Sequence, residues 1–457
     1  MMGRNDPDQK QFFYAFNLDD HVPKDHLLRS IDRFLDLSDL HDHLSPHYSH
    51  TGRPSIDPEL MIRMLIVGYC FGIRSERRLC EEVSLNLAYR WFCRLSIEDA
   101  VPDHSTFSKN RHGRFREAEA FRHVFEQVLK RCMAEGLVGG EGFAVDASLV
   151  KADASRQRHR DDDDDWGGGR AVREYLEALE TDNAPIGKSS RKTSPTDPAA
   201  SYTAAPGGPA FYAYSTNYLI DTDHGIIMDV EPSTANRTQE AASTRTMIER
   251  VEDRFGIKPQ RLIGDTAYGT AAMLNWIVEI KQIEPHTPVW QKYEGTAGQF
   301  GMADFTWDAE ADRYTCPAGK TLQRYRRKFK KKHTGITKAN TIIYRATEHD
   351  CGACEYKSRC CPKVSRRKIT RSIYESSREV ARAVAQTPAY KKTRRQRKKV
   401  EMLFAHMKRI LKLDRLRLRG MSGANDEFLL TATVQNLRRI AKTLGTGPPV
   451  KPLGVVT

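Results

Sequence analysis

The chain has 457 residues, of which 39% are hydrophobic and 29% charged, so its apolar content suffices for two or three domains with their own cores. The net charge of +14 and the pI of about 9.3 favour a polyanionic partner, most commonly nucleic acid, although a basic surface also serves solubility. No apolar stretch is long enough to span a bilayer and the N-terminus has no apolar signal segment, so we expect a cytoplasmic protein without a membrane partner.

Short helices are the pattern of the first 130 residues. Asp57 before Pro58 predicts a capped helix start, and Ser75 and the segment 102–106 predict two more. Arginines and lysines on these helices suit contacts with a nucleic-acid backbone. We therefore predict an all-α DNA-binding domain over 1–130. A helical packing or dimerisation domain remains the alternative, because no helix-turn-helix spacing is clear.

Strand-like patterns begin near residue 143. The predicted elements are a strand over 142–150, a hairpin over 214–230, a helix over 239–255, a strand over 261–264, a helix over 270–281 and a strand over 287–290. The five aspartates at 161–165 and the segment 189–209 are interpreted as loops. This order predicts an α/β sheet of mixed direction, as in ribonuclease H-like folds, with its first part over 131–290.

Short β-like pieces over 291–370 predict an insertion in that domain, with a basic run at 324–333. Four of its cysteines have spacings that suit a structural zinc site, which needs four thiolates in a tetrahedron; they are Cys316, Cys351, Cys354 and Cys360. Cys361 is a substitute for Cys360. Free thiols and a redox pair are the alternatives to Zn²⁺.

The catalytic domain is predicted to resume over 371–445 with helices, before a tail at 446–457. Between residues 356 and 420 there are 22 lysines and arginines against 4 acids, a density that suits phosphate contacts. One helix here has an apolar stripe of Val400, Leu403, Phe404, Met407 and Leu411. A neighbouring stripe consists of Arg394, Arg397, Glu401 and Lys408.

Three acidic residues stand out by their local settings. Asp146 lies within the first predicted strand, Asp265 directly follows the strand at 261–264, and Glu401 lies on the amphipathic helix. A carboxylate at a buried strand end is unfavourable unless something pairs with it. Mg²⁺ takes hard oxygen ligands and keeps several waters, so two or three carboxylates suffice for it. We therefore predict that the three acids share a divalent metal.

These motifs resemble the Asp-Asp-Glu transposases of bacterial insertion sequences. The matching pieces are Val145-Asp146, Gly264-Asp265-Thr-Ala-Tyr-Gly269 and the helix with Arg397, Glu401 and Lys408. That helix is similar to the signature of the Tyr-Arg-Glu-Lys branch, except that Arg394 stands at the tyrosine position. The helical N-terminal region also resembles that of such enzymes, and the cysteine-bearing insertion resembles the 1182 family of insertion sequences.

The resemblance implies an α/β ribonuclease H-like catalytic domain with an inserted small β-rich cysteine domain, preceded by an all-α domain. It implies catalysis by Asp146, Asp265 and Glu401 with two Mg²⁺ ions or Mn²⁺, and DNA contacts by Arg394, Arg397 and Lys408. The partners would be terminal inverted repeats and target DNA, bound by a homo-oligomer in the bacterial cytoplasm and at the nucleoid. A nuclease or resolvase of this fold without strand transfer, or a non-enzymatic zinc-dependent DNA-binding protein, is the alternative.

Overall fold

The computed structural model describes residues 16–49, 51–52, 55–160, 168–180, 192–204, 207–290, 298–325 and 334–445. Two compact units divide the chain, one of Met1–Gly140, Asp146–Lys258 and Lys399–Thr457, the other of Glu141–Val145 and Pro259–Lys398. The aspartate run at 161–165, most of the basic run at 324–333 and the tail at 446–457 lie outside the described residues. Within the described ranges, no helix combines the length and apolarity needed to cross a membrane.

The elements alternate between helix-rich and strand-rich stretches. The helices are α1 (Leu18–His21), α2 (Leu27–Phe34), α3 (Leu40–Leu44), α4 (Pro58–Cys70), α5 (Glu76–Leu85), α6 (Leu87–Phe92), α7 (Ser105–His112), α8 (Arg114–Glu117), α9 (Ala120–Ala134), α10 (Arg170–Glu180), α11 (Arg237–Phe255), α12 (Ala271–Asn275), α13 (Glu348–Gly352), α14 (Lys357–Cys360), α15 (Glu375–Ala385), α16 (Pro388–Arg409) and α17 (Gly420–Leu444). The strands are β1 (Gly142–Lys151), β2 (Ser201–Ala204), β3 (Ala210–Asp221), β4 (Ile227–Thr234), β5 (Arg261–Ile263), β6 (Glu284–His286), β7 (Thr306–Asp308), β8 (Arg313–Thr315), β9 (Thr321–Arg324), β10 (Thr341–Arg345) and β11 (Lys368–Ser372).

The N-terminal part of the first unit is helical, as predicted. The side chain of Asp57 accepts a hydrogen bond from the backbone N of Glu59 at 2.8 Å, and Pro58 is the first residue of α4. Ser75 caps α5 in the same way, through the backbone N of Arg78. Both predicted helix starts are thus confirmed, and each side chain satisfies a backbone donor that the helix itself leaves unpaired.

Helix α17 packs against both the helices and the sheet of the first unit. It contacts α2, α4, α9 and α10 on the helical side and β4 on the sheet side. Asn436 makes two hydrogen bonds with the backbone of Ile227 in β4: its Oδ1 accepts from the N and its Nδ2 donates to the O, each at 2.8 Å. Because a buried amide is costly unless both its ends are paired, this residue fixes the position of α17 on the sheet.

The larger sheet has the strand order β2-β3-β1-β5-β6, and β4 also pairs with β3. In the first unit, β3 runs antiparallel to β2 and β4, and Ala152 beyond β1 donates its N to Tyr212 O in β3 at 2.9 Å. In the second unit, β1 begins parallel to β5, and β5 is parallel to β6. The chain is therefore a mixed α/β protein with a helical N-terminal region.

A separate antiparallel sheet of the second unit has the order β11-β10-β9-β8-β7. Its core contains eight buried side chains: Phe305, Tyr314, Leu322, Tyr344, Ala346, Cys351, Cys361 and Ile369. The strands are only three to five residues long, so the apolar area they bury is small. This sheet lies in the part of the chain predicted to be an insertion.

Three sequence-based element assignments need correction. The last strand of the larger sheet is β6, Glu284–His286, and not 287–290. The predicted loop at 189–209 contains strand β2, Ser201–Ala204. The predicted helix over 270–281 is α12 followed by a π-helical turn, Trp276–Ile280. By contrast, the hairpin of β3 and β4 and the helix α11 confirm their predictions.

Candidate active site

Asp146 lies in the middle of β1, where the burial of the strand changes. Gly142–Val145 is buried, whereas Asp146 and the three residues after it are half-buried. The Oδ1 of Asp146 accepts a hydrogen bond from the backbone N of Ala147 at 2.9 Å. The buried half of the strand thus holds the backbone in place, and the half-buried half leaves the carboxylate accessible to a ligand.

Asp265 follows β5 and starts a 3₁₀ turn, Thr266–Tyr268. Its Oδ1 accepts a hydrogen bond from the backbone N of Ala267 at 2.8 Å, so the carboxylate caps the turn. The turn is held by close packing: a Cβ added to Gly269 would lie 1.8 Å from Pro288 O. Only glycine fits there, and Tyr268 is buried beneath the turn as a core residue. The Gly-Asp-Thr-Ala-Tyr-Gly motif is therefore explained by its own packing.

The two aspartates occupy matching positions after paired strand residues. In the second unit, Ala144 of β1 pairs with Ile263 of β5 in parallel register. Asp265 comes two residues after Ile263, and Asp146 comes two residues after Ala144 along the chain. Each aspartate therefore follows the paired residue of its own strand by the same number of residues.

Glu401 lies on α16, and the apolar stripe predicted for this helix is confirmed. Its buried residues on the helix are Val400, Leu403, Phe404 and Met407, and Leu411, also buried, lies two residues beyond the end of α16. Glu401 itself is exposed, and Lys408, two turns later, is half-buried. A carboxylate next to a buried stripe is held by the packing of its neighbours while its own oxygens stay in contact with solvent.

Three contacts within the first unit fasten this end of α16. The ring of Phe404 contacts the ring of Tyr218 in β3 edge-on, with centroids 5.4 Å apart. The Nζ of Lys408 donates to Leu149 O in β1 at 3.0 Å, and burial lowers the pKa of Lys408. His406 forms a hydrogen bond of 2.8 Å with Gln435 of α17. Lys408, for which we predicted a DNA contact, therefore has a partner in the protein, close in sequence to Asp146.

The beginning of α16 presents a row of cations. Six of its side chains are exposed: Lys391, Lys392, Arg394, Arg395, Lys398 and Lys399; Arg397 is half-buried. In the part of the chain that the structure describes, none of these seven forms an ion pair with an acid. Unpaired cations repel one another, so a run of this density favours binding to a polyanion.

Comparison with known proteins places the chain in a family. Residues 16–113 match a family described as a transposase domain, DUF772, and residues 315–441 match a family described as a transposase DDE domain. This chain is a DDE-type transposase of the insertion-sequence kind. The second match includes Glu401 and the cysteines of the small sheet. No curated protein matches the transposase.

Among solved structures, the transposase is similar to the piggyBac transposase in its synaptic complex with hairpin DNA. The identity is 10% and the TM-score 0.34, over 92% of this chain and 76% of that chain. A likeness this loose supports no conclusion about the site of the transposase.

Metal-binding geometry is not formed in the described ranges of the transposase: no group of three or more His, Cys, Asp or Glu side chains there is placed to hold an ion. The Mg²⁺ ligands Asp146, Asp265 and Glu401, and the Zn²⁺ ligands Cys316, Cys351, Cys354 and Cys360, therefore stay predictions. The four cysteines nevertheless line a single cavity, together with Cys361.

Two buried carboxylates that sequence reasoning missed hold the transposase together in the first unit. Asp197 Oδ1 accepts hydrogen bonds from Tyr214 Oη at 2.5 Å and Gly420 N at 3.2 Å, and burial raises the pKa of Asp197 to about 6. Glu427 Oε1 accepts from the backbone N of Arg417 and from that of Leu418, each at 2.6 Å. The sequence indicates a buried, paired role for Glu427, because this acid interrupts the apolar run of α17. Asp197 lies in a loop-like segment with no pattern that indicates burial.

Proposed function

We propose that this transposase cuts DNA at the ends of its insertion sequence and joins those ends to target DNA, with Asp146, Asp265 and Glu401 sharing Mg²⁺ or Mn²⁺. The observation that carries the proposal is the parallel pairing of Ala144 with Ile263, because each aspartate follows the paired residue of its own strand by two positions. Carboxylate oxygens are the donors that Mg²⁺ prefers, so the residue types fit the ion.

The contacts of α16 support the inclusion of Glu401. Counting six residues back along β1 and six forward along β3 from the hydrogen bond between Ala152 N and Tyr212 O leads to Asp146 on β1 and Tyr218 on β3. An antiparallel ladder that continues in register makes these two residues neighbours. The ring of Tyr218 contacts Phe404, and Glu401 lies one helical turn before Phe404. Within the first unit, the helix turn with Glu401 thus belongs beside the strand position of Asp146.

The role of each residue at this site follows from its chemical type. When bound, a pair of divalent ions supplies an activated water and neutralises charge on the leaving oxygen. The three carboxylates hold and orient the ions, and the same arrangement serves strand cleavage and the later attack by a 3′-hydroxyl, since both are phosphoryl transfers. Arg394 and Arg397, which precede Glu401 on the same helix, would hold DNA phosphates.

The strand order supports a ribonuclease H-like catalytic domain as the finer description of the fold. Strand β4 pairs antiparallel with β3, β3 neighbours β1, and β1 starts the parallel series with β5 and β6. We further propose that the helical region recognises the terminal inverted repeats and that the transposase acts as a homo-oligomer with two DNA ends, in the bacterial cytoplasm and at the nucleoid. A net charge of +14 suits such a DNA-bound assembly.

Three isosteric variants test the proposed ligands: Asp146→Asn, Asp265→Asn and Glu401→Gln. Each is expected to lose Mg²⁺-dependent cleavage of labelled end DNA and to keep its affinity for that DNA when measured in Ca²⁺. Asp253→Asn is the matched control, because this acid is exposed on α11 and is none of the three proposed ligands. Cleavage at the unaltered rate by any one of the three variants removes that residue from the site.

A strand-transfer assay separates the proposal from its alternatives. Pre-cut ends with a free 3′-hydroxyl should be joined to a target plasmid by the unaltered chain in Mg²⁺. Cleavage without joining would indicate a nuclease or resolvase. Binding without either reaction, in Mg²⁺ and in Mn²⁺, would indicate a DNA-binding protein.

A further inference from the structure

Five of the nine cysteines surround one cavity of about 20 Å³ in the small sheet domain of the second unit. They are Cys316, Cys351, Cys354, Cys360 and Cys361. They come from segments as much as 45 residues apart along the chain, so it is the fold of the small sheet domain that brings the five thiols together. A cavity of this size holds one small occupant, since a single water requires about 10–15 Å³.

The backbone around Cys316 forms a tight turn with an N–H group directed at its sulfur. The N of Lys320 donates to the Sγ of Cys316 at 3.3 Å, and the N of Gly319 donates to the O of Cys316 at 2.8 Å. Gly319 has φ +71°, a conformation that glycine adopts without strain, so this tight turn depends on it. The turn holds the sulfur of Cys316 at the wall of the cavity.

The second segment has a matching feature. The N of Arg367 donates to the Sγ of Cys351 at 3.4 Å. The guanidinium of Arg367 donates to Cys360 O at 2.7 Å, and the Nζ of Lys357 donates to Val364 O at 2.6 Å. These bonds close the loop that carries Cys360 and place two cations beside the thiols.

We propose that Cys316, Cys351, Cys354 and Cys360 bind one structural Zn²⁺ and that Cys361 packs beside them without binding it. Cys361 is 5% exposed and belongs to the apolar core of the small sheet, as Cys351 does, so the assignment rests on Cys360 being the more accessible of two adjacent cysteines. Cys360, its neighbour in the chain, is half-buried like Cys316 and Cys354. In the structure the thiols surround the cavity without ligand geometry, so metal binding has to draw them inward.

The small sheet explains why a metal is needed here. Its core has eight buried side chains, two of which are cysteines, and its strands have three to five residues. A domain with so little apolar area is commonly stabilised by a metal or a disulfide. Four thiolates in a tetrahedron select Zn²⁺ or an iron–sulfur cluster, and a closed site without a catalytic opening fits Zn²⁺.

The metal content of the full-length chain, purified without chelator, tests the proposal. Mass spectrometry of the metals should give one equivalent of zinc and no iron, and X-ray absorption should show sulfur ligands at about 2.3 Å. Cys354→Ser should lose the zinc. Cys361→Ala and Cys80→Ala, which lie beside the site and in helix α5, should keep it.

Titration of the unaltered chain with an organomercurial covers the case in which Cys354→Ser fails to fold. Zinc release, followed with a metal-sensitive dye, should reach one equivalent as the thiols react. An unaltered chain that contains iron, or that contains no zinc and releases none, would overturn the proposal. So would a full equivalent of zinc in Cys354→Ser. None of these readouts depends on DNA cleavage.

Discussion

Replacing Lys408 with methionine decides whether this side chain holds DNA or holds the transposase's own helix in place. The sequence predicted a phosphate contact, whereas in the structure the Nζ of Lys408 donates to Leu149 O at 3.0 Å. Leu149 lies three residues after Asp146 on β1, and Lys408 lies two turns after Glu401 on α16. The hydrogen bond therefore connects the element of one proposed ligand to the element of another.

The magnitude follows from the kind of bond that is lost. A hydrogen bond from a charged donor contributes about 1.5–3 kcal/mol, and the methionine leaves the carbonyl of Leu149 unpaired. If that free energy is lost from the positioning of Glu401 in the transition state, the cleavage rate at saturating DNA falls about 10- to 100-fold. Loss of a phosphate contact would instead change DNA binding. The slope of the logarithm of the binding constant against the logarithm of the salt concentration would decrease in magnitude by about 0.9.

Two measurements on Lys408→Met separate these outcomes. Single-turnover cleavage at saturating end DNA reports the rate, and fluorescence anisotropy over a salt series reports the slope. Lys391→Met, an exposed cation on the same helix, is the reference for a true phosphate contact and should lower the slope. A decreased slope with an unaltered saturated rate in Lys408→Met would refute the positioning role.

Two further predictions concern stability. Gly269→Ala places a Cβ 1.8 Å from Pro288 O, so the melting temperature should fall by the equivalent of about 1–3 kcal/mol, whereas Gly352→Ala, with nothing within 4 Å, should change it little; equal melting temperatures would contradict the packing at Gly269. The pKa of Asp197 is raised to about 6 in the folded chain, from 3.8. The contribution of this group to the free energy of unfolding is therefore fully present below about pH 4. Up to about 3 kcal/mol of it is lost as the pH rises through 6. Asp197→Asn cannot titrate, and its melting temperature should therefore decline less than that of the unaltered chain between pH 4 and 7; parallel declines would show that Asp197 is not the group responsible.

The fold was predictable where side-chain period and backbone signals agree. The hairpin of β3 and β4 has apolar runs on both sides of a turn with Gly225, and helix α4 has both a cap and a proline at its start. Strand β6 was misplaced because its residues, Glu284–His286, are not apolar. His286 is buried by a specific partner: its Nδ1 forms a hydrogen bond of 2.8 Å with Thr393 Oγ1. A contact between positions 107 residues apart leaves no periodic pattern in the sequence.

At the candidate site, too, local patterns are predictable from the sequence and long-range contacts are not. The periodicity of α16 predicts which residues share a face, and the buried stripe confirms it. It does not predict what the face packs against. Lys408 was assigned to DNA because its charge suited a phosphate, yet a carbonyl of β1 lies within its reach. A long cationic side chain at the border of a buried face has both options, and only the position of the strand decides between them.

Helix α16 has its DNA-binding cations in the first part and the residues that position Glu401 for cleavage in the second part. Up to Lys399 its exposed side chains are mostly cations that lack acidic partners in the described ranges, and from Val400 onward the apolar stripe is continuous and buried. Charge acts on DNA through solvent and is screened by salt, whereas packing fixes a carboxylate to within fractions of an ångström. Substitutions before Val400 should therefore change affinity and its salt dependence. Substitutions of the stripe from Val400 to Leu411 should change the cleavage rate at saturating DNA, because they move Glu401.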